Sequence, residues 1–190
     1  DPINPHFLDP SLFLQEVATP LSDELAESLG PLILELQEND IHEPEFCRLL
    51  DHFLSEVRKG FSGSISVELR TVSHFTSRYL SILHHHGAGH VLNSWTRMPP
   101  IAQQFARMQA IHRDWPDYVL RALLQIGMRY AEASKWAPYD RLRQRATEVR
   151  ADILTVLRSL PIEQTAYVLI NNHLEGNAPT TIAELQAALF

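Results

Sequence analysis

The sequence predicts an α/β fold built on a parallel β-sheet. Short apolar runs rich in β-branched and aromatic residues alternate with longer stretches in which apolar residues recur at helical spacing. Strict alternation of strand and helix is typical of a parallel sheet covered by helices. The strands are too apolar to have a face in water, so we expect them to be buried on both sides.

Five short apolar runs predict the strands of this sheet. They are Pro31–Gln37, Ser64–Arg70, His90–Trp95, Tyr118–Gln125 and Gln164–Asn172. The fourth run fits a helix equally well, because a short apolar run does not distinguish the two periods.

The stretches between the strands predict amphipathic helices, because their apolar residues recur every three or four positions. The predicted helices are Asp9–Ser28, Glu43–Lys59, Ser73–His85, Pro138–Leu160 and Thr180–Phe190. Asp9 or Ser11 is able to cap the first helix. Thr180 or Thr181 is able to cap the last, and Gly87 is a C-cap for the third.

Two architectures are compatible with five strand–helix units. One is an open, doubly wound sheet, and the other is part of an eight-stranded barrel without its opening units. A complete barrel of this type needs at least about 200 residues. The alternation of elements does not separate the two.

Composition excludes several classes of protein. The chain has 190 residues, 45% of them hydrophobic and 21% charged, and a net charge of −7. These values are typical of a globular protein, and we expect a single domain over residues 1–190. No apolar run approaches the roughly 18–20 residues of a membrane span, so no membrane partner is expected. The acidic balance argues against a protein that coats nucleic acid, although it leaves room for a local basic cleft.

The single cysteine, Cys47, has no partner for an internal disulfide. This indicates a reducing compartment, and we expect a cytoplasmic protein. The chain opens with Asp1-Pro2 and has no apolar signal segment. Because it also lacks an initiator methionine, we expect it to be a segment of a longer protein. Cys47 lies on the apolar stripe of its helix and is expected to be a buried small hydrophobe.

Polar residues near the ends of the first two strands are candidates for a site, because parallel α/β sheets bind ligands at the carboxyl ends of their strands. Strand alternation places Glu68 and Arg70 on one face of the second strand, and Glu35 lies near the end of the first. Polar groups on a buried strand are costly unless they are paired or hydrated. Glu68 and Arg70 therefore either form a structural ion pair inside the fold or face a solvated pocket.

The third and fourth strands add further candidates. The third ends at Asn93, which is polar, and Trp95, whose aromatic ring could stack on a polar ring of a ligand. The alternative is that Trp95 is a core residue. Arg121 lies within the fourth strand and requires an anionic or backbone partner. Its best partners within the chain are Glu68 and Glu35.

The loop after the last strand is richer in polar groups than a connection requires. It contains Asn171, Asn172, Glu175 and Asn177. The alternative is that Asn177 only adopts a left-handed turn and Glu175 is solvated.

The ten histidines do not predict a metal site. His84, His85 and His86 run consecutively at a helix end, where a solvated helix C-terminus explains them. His112 lies in another connection from helix to strand. No HExxH or CxxC spacing occurs, and neither does a phosphate-binding glycine motif. We therefore predict no metal ligands and assign no cofactor.

Four blocks of sequence together resemble the YecE-like family, known as domain of unknown function 72. They are VELR (67–70), NSWTRMPP (93–100), GMRYAEASKWAPYDR (127–141) and NNHLEGNAPTTI (171–182). The resemblance implies a TIM barrel, distantly similar to the xylose-isomerase and endonuclease IV type. It also implies that the chain begins near the third helix, so that its strands are the fourth to eighth of an incomplete barrel.

One departure from the family pattern affects the site. In the family, the arginine at this position is usually followed by Leu-His-Gly. Other residues follow Arg121 in this chain, so the histidine is absent and any role it has is lost. The family has no established reaction, so the resemblance implies a site without implying a chemistry.

The leading functional hypothesis is a protein that binds a small polar or phosphorylated ligand at the carboxyl-end mouth of the strands, with hydrolysis as one outcome. Glu68 would act as general acid or base, and Arg70 and Arg121 would hold an anion. Residues that would position or enclose the ligand are Glu35, Asn93, Trp95, Tyr130, Tyr139, Asn171, Asn172, Glu175 and Asn177. Whether the protein is an enzyme is left open.

Two other hypotheses remain open. The barrel analogy suggests metal-assisted phosphodiester hydrolysis of nucleic acid, with ligands drawn from Glu35, Glu68, His74 and Glu175. Alternatively, the chain is a non-catalytic interaction module. In that case its exposed strand edges favour self-association.

Overall fold

A computed structural model describes residues 4–25 and 28–190 and contains a five-stranded, fully parallel sheet. Every predicted strand is confirmed; each is shorter than its predicted run, and β3 begins at Gly89, one residue before the run His90–Trp95. The strands are β1 (Leu32–Leu36), β2 (Ile65–Leu69), β3 (Gly89–Asn93), β4 (Tyr118–Ala122) and β5 (Ala166–Ile170). The helical alternative for the fourth run is wrong, because that run pairs with β3 and β5 as a central strand.

Helices connect the strands. They are α1 (Pro10–Phe13), α2 (Thr19–Leu25), α3 (Glu43–Val57), α4 (Ser77–His85), α5 (Ile101–Ile111), α6 (Tyr130–Ala133), α7 (Thr147–Ser159), α8 (Asn172–Glu175) and α9 (Ala178–Leu189). A π-helical turn, Leu14–Ala18, joins α1 to α2, and 3-10 turns occupy Val72–His74 and Ser134–Trp136. None of the helices in residues 4–25 and 28–190 combines the length and the apolar character that crossing a lipid bilayer requires.

The caps of the first and third predicted helices agree with expectation, whereas that of the last does not. The Asp9 carboxylate accepts hydrogen bonds from the N–H groups of Ser11 and Leu12, each at 3.0 Å. Gly87 follows α4 with a φ of +60°. The last helix begins two residues early, and its cap is Asn177, whose side-chain oxygen accepts from the Thr180 N–H at 2.9 Å.

The predicted helix Pro138–Leu160 forms only from Thr147 onward, so its first part is wrong. The preceding backbone binds Glu175 instead of forming a helical turn. The Arg143 N–H donates to the Glu175 carbonyl at 2.7 Å, and the Ala146 N–H donates to its carboxylate at 2.6 Å. Long-range partners therefore replace helical ones. Helix α5 lies outside the predicted helices, although its apolar residues do recur at helical spacing.

The sheet order follows the chain, β1-β2-β3-β4-β5. A doubly wound sheet reverses its strand order at a switch point, so this order excludes the doubly wound alternative for the described strands. Helices α3, α4, α5, α7 and α9 pack on one another in succession. A continuous core lies between them and the sheet, and it includes the fully buried Phe46, Leu50, Leu80 and Ile153. Each such side chain contributes on the order of 1.5–3 kcal/mol through its burial.

The other face of the sheet carries the alternate residues of each strand. Glu68 on β2 and Val119 on β4 lie there, fully buried, outside the helix-packed core. The expectation that every strand is buried on both sides is wrong for β5, where Tyr167 is 38% exposed and Leu169 43% exposed. The strand is exposed because it forms an edge of the sheet and, among the described strands, pairs only with β4.

Candidate functional site

Two carboxylates and two guanidinium groups form one charged cluster on the face of the sheet opposite the helices. The Arg70 Nη2 atom lies 3.0 Å from Glu35 Oε2 and 2.8 Å from Glu68 Oε1. Arg121 Nη1 lies 2.9 Å from Glu35 Oε2 and also contacts Glu68 Oε2. Both partners that the sequence analysis names for Arg121 are therefore in contact with it. We call these four residues the charged cluster.

Strand register brings the cluster together. Glu35 on β1 stands opposite Glu68 on β2, so both carboxylates project from the same face. Arg121 on β4 stands opposite Asn93 on β3, one strand further along the sheet. Arg70 follows the last residue of β2 and reaches back over the strand ends. The cluster therefore occupies the carboxyl end of the sheet, where ligands bind in parallel α/β folds.

The two carboxylates of the cluster differ in their electrostatics. Burial of Glu68, which is fully inaccessible, raises its pKa, although Arg70 and Arg121 oppose this effect. Burial also acts to raise the pKa of Glu35, but hydrogen bonds from Arg121 and Arg70 outweigh burial and lower it. Adjacent carboxyl groups with opposite pKa shifts are typical of an acid and an anion with separate roles.

Arg70 has unused hydrogen-bonding capacity. Its side chain is buried, with the residue 4% exposed, and stacks over the Trp95 ring at 4.1 Å. The Nε and Nη1 atoms of Arg70 have no acceptor within the described residues. Arg70 also lines a cavity of about 610 Å³ together with Asn39, Thr71 and other residues of the β1 and β2 loops. A buried donor without an acceptor costs about 1–3 kcal/mol, so a ligand oxygen there would be stabilising.

Asn93 and Trp95 lie beside Arg70 but have different roles. The Asn93 amide donates to the Leu69 carbonyl at 3.2 Å, and its oxygen accepts from the Trp95 N–H at 3.0 Å. Asn93 is thus used to shape the loop after β3. Trp95 and Tyr130 line a second cavity of about 410 Å³ at the same end of the sheet.

Tyr139 and Asn171 meet through His173, which lies in the polar loop after β5. The Asn171 side-chain oxygen contacts His173 Nδ1 at 2.7 Å and therefore orients that nitrogen as a donor. The other ring nitrogen, Nε2, then accepts from the Tyr139 hydroxyl at 2.9 Å. Tyr130 packs on the same imidazole, with ring centroids 4.7 Å apart.

The remaining loop candidates hold the fold together. Asn172 accepts from the Ala178 N–H at 2.9 Å, and Asn177 donates to the Tyr139 carbonyl at 2.8 Å. Glu175 is buried against Arg150, whose Nε donates to it at 2.7 Å. The structure thus places these three candidates apart from the charged cluster, in contacts that secure the last helices.

Arg150 is absent from the candidates because a lone arginine on a helix carries no local signal. It lies on the helix that follows the Glu175-bound loop, and its partner is 25 positions away in the chain. Arg97 and Arg129, which line the second cavity beside Trp95, were also missed. Arg97 lies in the NSWTRMPP block and could have been found there.

The ligands suggested for a metal-assisted hydrolase do not converge. Glu35 and Glu68 belong to the charged cluster, whereas His74 stacks on Phe46 and lies 2.7 Å from the Ile41 carbonyl. Glu175 binds Arg150. Within residues 4–25 and 28–190, the one group of three side chains spaced to hold a metal ion lies elsewhere and consists of His84, His112 and Asp114.

Comparison with known proteins identifies a family and a similar fold. The family model "Protein of unknown function DUF72" matches residues 10–190. The crystal structure of a DUF72 family protein from Thermotoga maritima MSB8 is similar with a TM-score of 0.63 and 17% identity, over 95% of this chain and 66% of that one. At this identity the likeness shows the fold alone, and the chain spans about two thirds of the length of that protein. No curated protein matches.

Proposed function

This chain belongs to the DUF72 family of proteins of unknown function. We propose that it binds a small polar ligand bearing a phosphate or carboxylate group at the carboxyl ends of its strands. One observation carries the proposal. Arg70 is buried, lines a cavity, and has Nε and Nη1 without acceptors among the described residues. An oxyanion is the ligand group whose charge and acceptor oxygens suit these two donors.

The geometry of guanidinium favours an anion over other ligands. The Nε and Nη1 donors of Arg70 lie on different edges of its guanidinium, so each would donate to a separate ligand oxygen, and such charge-assisted bonds are stronger than neutral ones. Trp95 holds the guanidinium plane in place by stacking. A volume of about 610 Å³ lies within the range of small-ligand sites.

We propose Glu68 as the general acid or base beside this anion. Burial raises the pKa of Glu68, so its carboxyl group retains a proton to higher pH than an ordinary glutamic acid. Glu35 stays ionised and balances the charge of Arg121. A proton donor beside a bound oxyanion is compatible with hydrolysis of an ester, in which water would form the new bond to phosphorus or carbon, the bond to the leaving oxygen would break, and Glu68 would give its proton to that oxygen.

We also propose that β1–β5 are strands four to eight of a TIM barrel. The sequential strand order and the helices packed in succession on one face support this assignment. Superposition on the Thermotoga maritima structure tests it. We expect β1 to fall on the fourth strand of that protein, and alignment with any other strand would contradict the numbering.

The ligand proposal is tested by calorimetric titration with inorganic phosphate and, separately, citrate. We expect at least one anion to bind, and Arg70→Lys to weaken binding at least about tenfold, because lysine keeps the charge but lacks the planar guanidinium with its Nε and Nη1 donors. Arg113→Lys is the matched control, since exposed Arg113 lies at the opposite end of the sheet. Equal affinity in the two variants, or no binding of either anion, would overturn the proposal.

The other hypotheses have less support. Metal-assisted hydrolysis of nucleic acid needs three converging ligands, and of its four candidates only Glu35 and Glu68 lie together in the described structure. If the protein binds its ligand without catalysis, the same titration results are expected, but the proton of Glu68 would have no role. A cytoplasmic location is proposed from the single cysteine, Cys47, which has no partner for an internal disulfide within this sequence. Cell fractionation tests that location.

A further inference from the structure

Two cavities adjoin each other at the carboxyl end of the sheet. Arg70 lines the first, of about 610 Å³, and Tyr130 lines the second, of about 410 Å³. Glu38 and Arg97 line both, so the two cavities share a wall. Arg97 Nη1 lies 2.9 Å from Glu38 Oε2, and this ion pair is part of the shared wall. A ligand that extends past the pair occupies both spaces.

The charged cluster borders the second cavity as well as the first. The Arg70 guanidinium stacks over the Trp95 ring at 4.1 Å, and Trp95 lines the second cavity. Gln37 lines the same cavity and donates through Nε2 to Glu35 Oε1 at 2.6 Å. A ligand with its anionic group at Arg70 therefore reaches the second cavity without leaving the strand ends.

The second cavity is suited to a planar ring. Tyr130 is 57% exposed although it is a large aromatic residue, and it lines the cavity together with Trp95. Two largely exposed arginines, Arg97 and Arg129, line it as well. Aromatic rings and guanidinium planes are the side-chain groups on which nucleobases stack. Both kinds of group face one space here.

His173 supports the Tyr130 ring. The two rings pack with centroids 4.7 Å apart. His173 is itself held by the Asn171 side-chain oxygen at 2.7 Å and by the Tyr139 hydroxyl at 2.9 Å. A side chain held in place before binding loses less conformational entropy when the ligand binds. Tyr130 therefore offers a preorganised surface to a ring.

We propose that the ligand of this site is an anion that carries a planar heteroaromatic ring, of the nucleoside monophosphate type. The inference rests on the proposed anion site at Arg70 and assigns the rest of the ligand. The phosphate group binds Arg70 in the first cavity, and the base lies against Tyr130 and Trp95 in the second. The side-chain oxygen of Gln37 is the group that accepts an N–H from the edge of the base.

The shared wall suits the sugar that links base and phosphate. Carboxylates accept hydrogen bonds from ribose hydroxyl groups in dinucleotide-binding folds, and Glu38 lies between the two spaces. Its ion pair with Arg97 is largely exposed, and exposed pairs contribute little to stability. Glu38 can therefore turn to the sugar at little cost.

Calorimetric titration with inorganic phosphate, ribose phosphate, AMP and UMP tests this assignment. We expect at least one of the two nucleotides to bind at least about tenfold more tightly than ribose phosphate, because stacking of the base adds to the phosphate contact. Nucleotides that bind no more tightly than ribose phosphate would overturn the ring site. Binding of phosphate in that case leaves the anion site at Arg70 intact, whereas absence of binding of all four ligands would overturn both proposals.

Variants at Tyr130 locate the ring. Tyr130→Ala should weaken nucleotide binding at least about fivefold and leave ribose phosphate binding within about twofold, because only the stacking surface is lost. Tyr130→Phe should bind the nucleotide as the wild type does, since phenylalanine keeps that surface. Phe190→Ala is the matched control, because Phe190 is an exposed aromatic residue that lines neither cavity.

Unchanged nucleotide affinity in Tyr130→Ala would overturn the placement of the base in the second cavity. If Tyr130→Ala does not fold, the comparison of nucleotide with ribose phosphate in Tyr130→Phe and in the wild type decides the outcome. A preference for the nucleotide in both supports the ring site, and its absence in the wild type overturns it.

Discussion

At the scale of single residues, Glu35 and Glu68 show how neighbouring carboxylates acquire different properties. Both contact the same two arginines, but Glu68 is fully buried and Glu35 is partly exposed. Burial disfavours the ionised form, and its effect is largest where water is absent. The pKa of Glu68 is therefore raised and that of Glu35 is lowered.

Replacing Glu68 by glutamine should change the pH dependence of stability. The folded protein holds the Glu68 proton at pH values where the unfolded chain has released it. The free energy of unfolding of the wild type should therefore fall, relative to Glu68→Gln, as the pH rises from the ordinary pKa of 4.5 towards neutrality. Urea unfolding between pH 4 and 8 measures this, and a pH-independent difference would contradict the raised pKa.

Glu175→Gln should show the opposite sign. Burial acts to raise the pKa of Glu175, but hydrogen bonds from Arg150 and Thr181 outweigh burial and lower it. Its contribution is therefore present above pH 4.5 and is lost as the pH falls through the lowered pKa. We expect the variant to lose about 3 kcal/mol at pH 7, because Arg150 loses its buried partner, and less at pH 3.

The control for this variant is Glu163→Gln, an exposed glutamate for which we expect a change within about 0.5 kcal/mol. The same urea experiment compares the two. Equal stability of Glu175→Gln and Glu163→Gln at pH 7 would mean that the buried contact with Arg150 contributes nothing.

At the scale of elements, the helix ends depend on glycines with positive φ. Gly87 follows α4 with φ +60°, and a Cβ added there would meet no atom within 4 Å. Gly176 follows α8 with φ +97° in a crowded site. A Cβ at Gly176 would lie 2.6 Å from Arg143 Cγ and 2.8 Å from the Arg141 carbonyl oxygen. The two positions share a backbone conformation and differ in packing.

Alanine at these two glycines should therefore separate strain from crowding. Gly87→Ala should cost about 1 kcal/mol, the penalty of the left-handed conformation alone. Gly176→Ala should cost about 2–4 kcal/mol, because overpacking against the backbone adds to that penalty. Thermal unfolding compares the two variants. An equal loss of stability would show that the loop before α7 moves to make room for the added methyl group with no loss of stability.

At the scale of the whole molecule, the described sheet ends in two unpaired edges. Among its strands, β1 pairs only with β2, and β5 pairs only with β4. Leu169, 43% exposed, projects from β5 on the face opposite the helices. Unpaired strand edges beside exposed apolar residues are templates for association.

We therefore predict that this 190-residue chain self-associates in a concentration-dependent manner. Leu169→Lys should weaken association, because it places a charge on the exposed face of the edge strand. Ile162→Lys is the control, since Ile162 is 96% exposed but lies in the loop before β5. Sedimentation velocity over a range of concentrations measures the effect, and a monomer at all concentrations would contradict the prediction.

Local pattern determined much of this protein. The alternation of apolar runs with helical spacing predicts five parallel strands, and the two-residue period of a strand places Glu68 and Arg70 on one face of the second strand. The partners of Arg121 are also predictable, because a charge within a strand requires an opposite charge nearby. These features depend on residues close together in the sequence or on the free-energy cost of burying a charge.

Tertiary structure alone decided the rest. The late start of α7 and the role of Glu175 depend on contacts between a loop and a helix end that are 29 positions apart. The meeting of His84 with Asp114 depends on how α4 and α5 pack, across 30 positions. No local period encodes such pairs, because they form only when separate helices settle on the same sheet and bring their ends together.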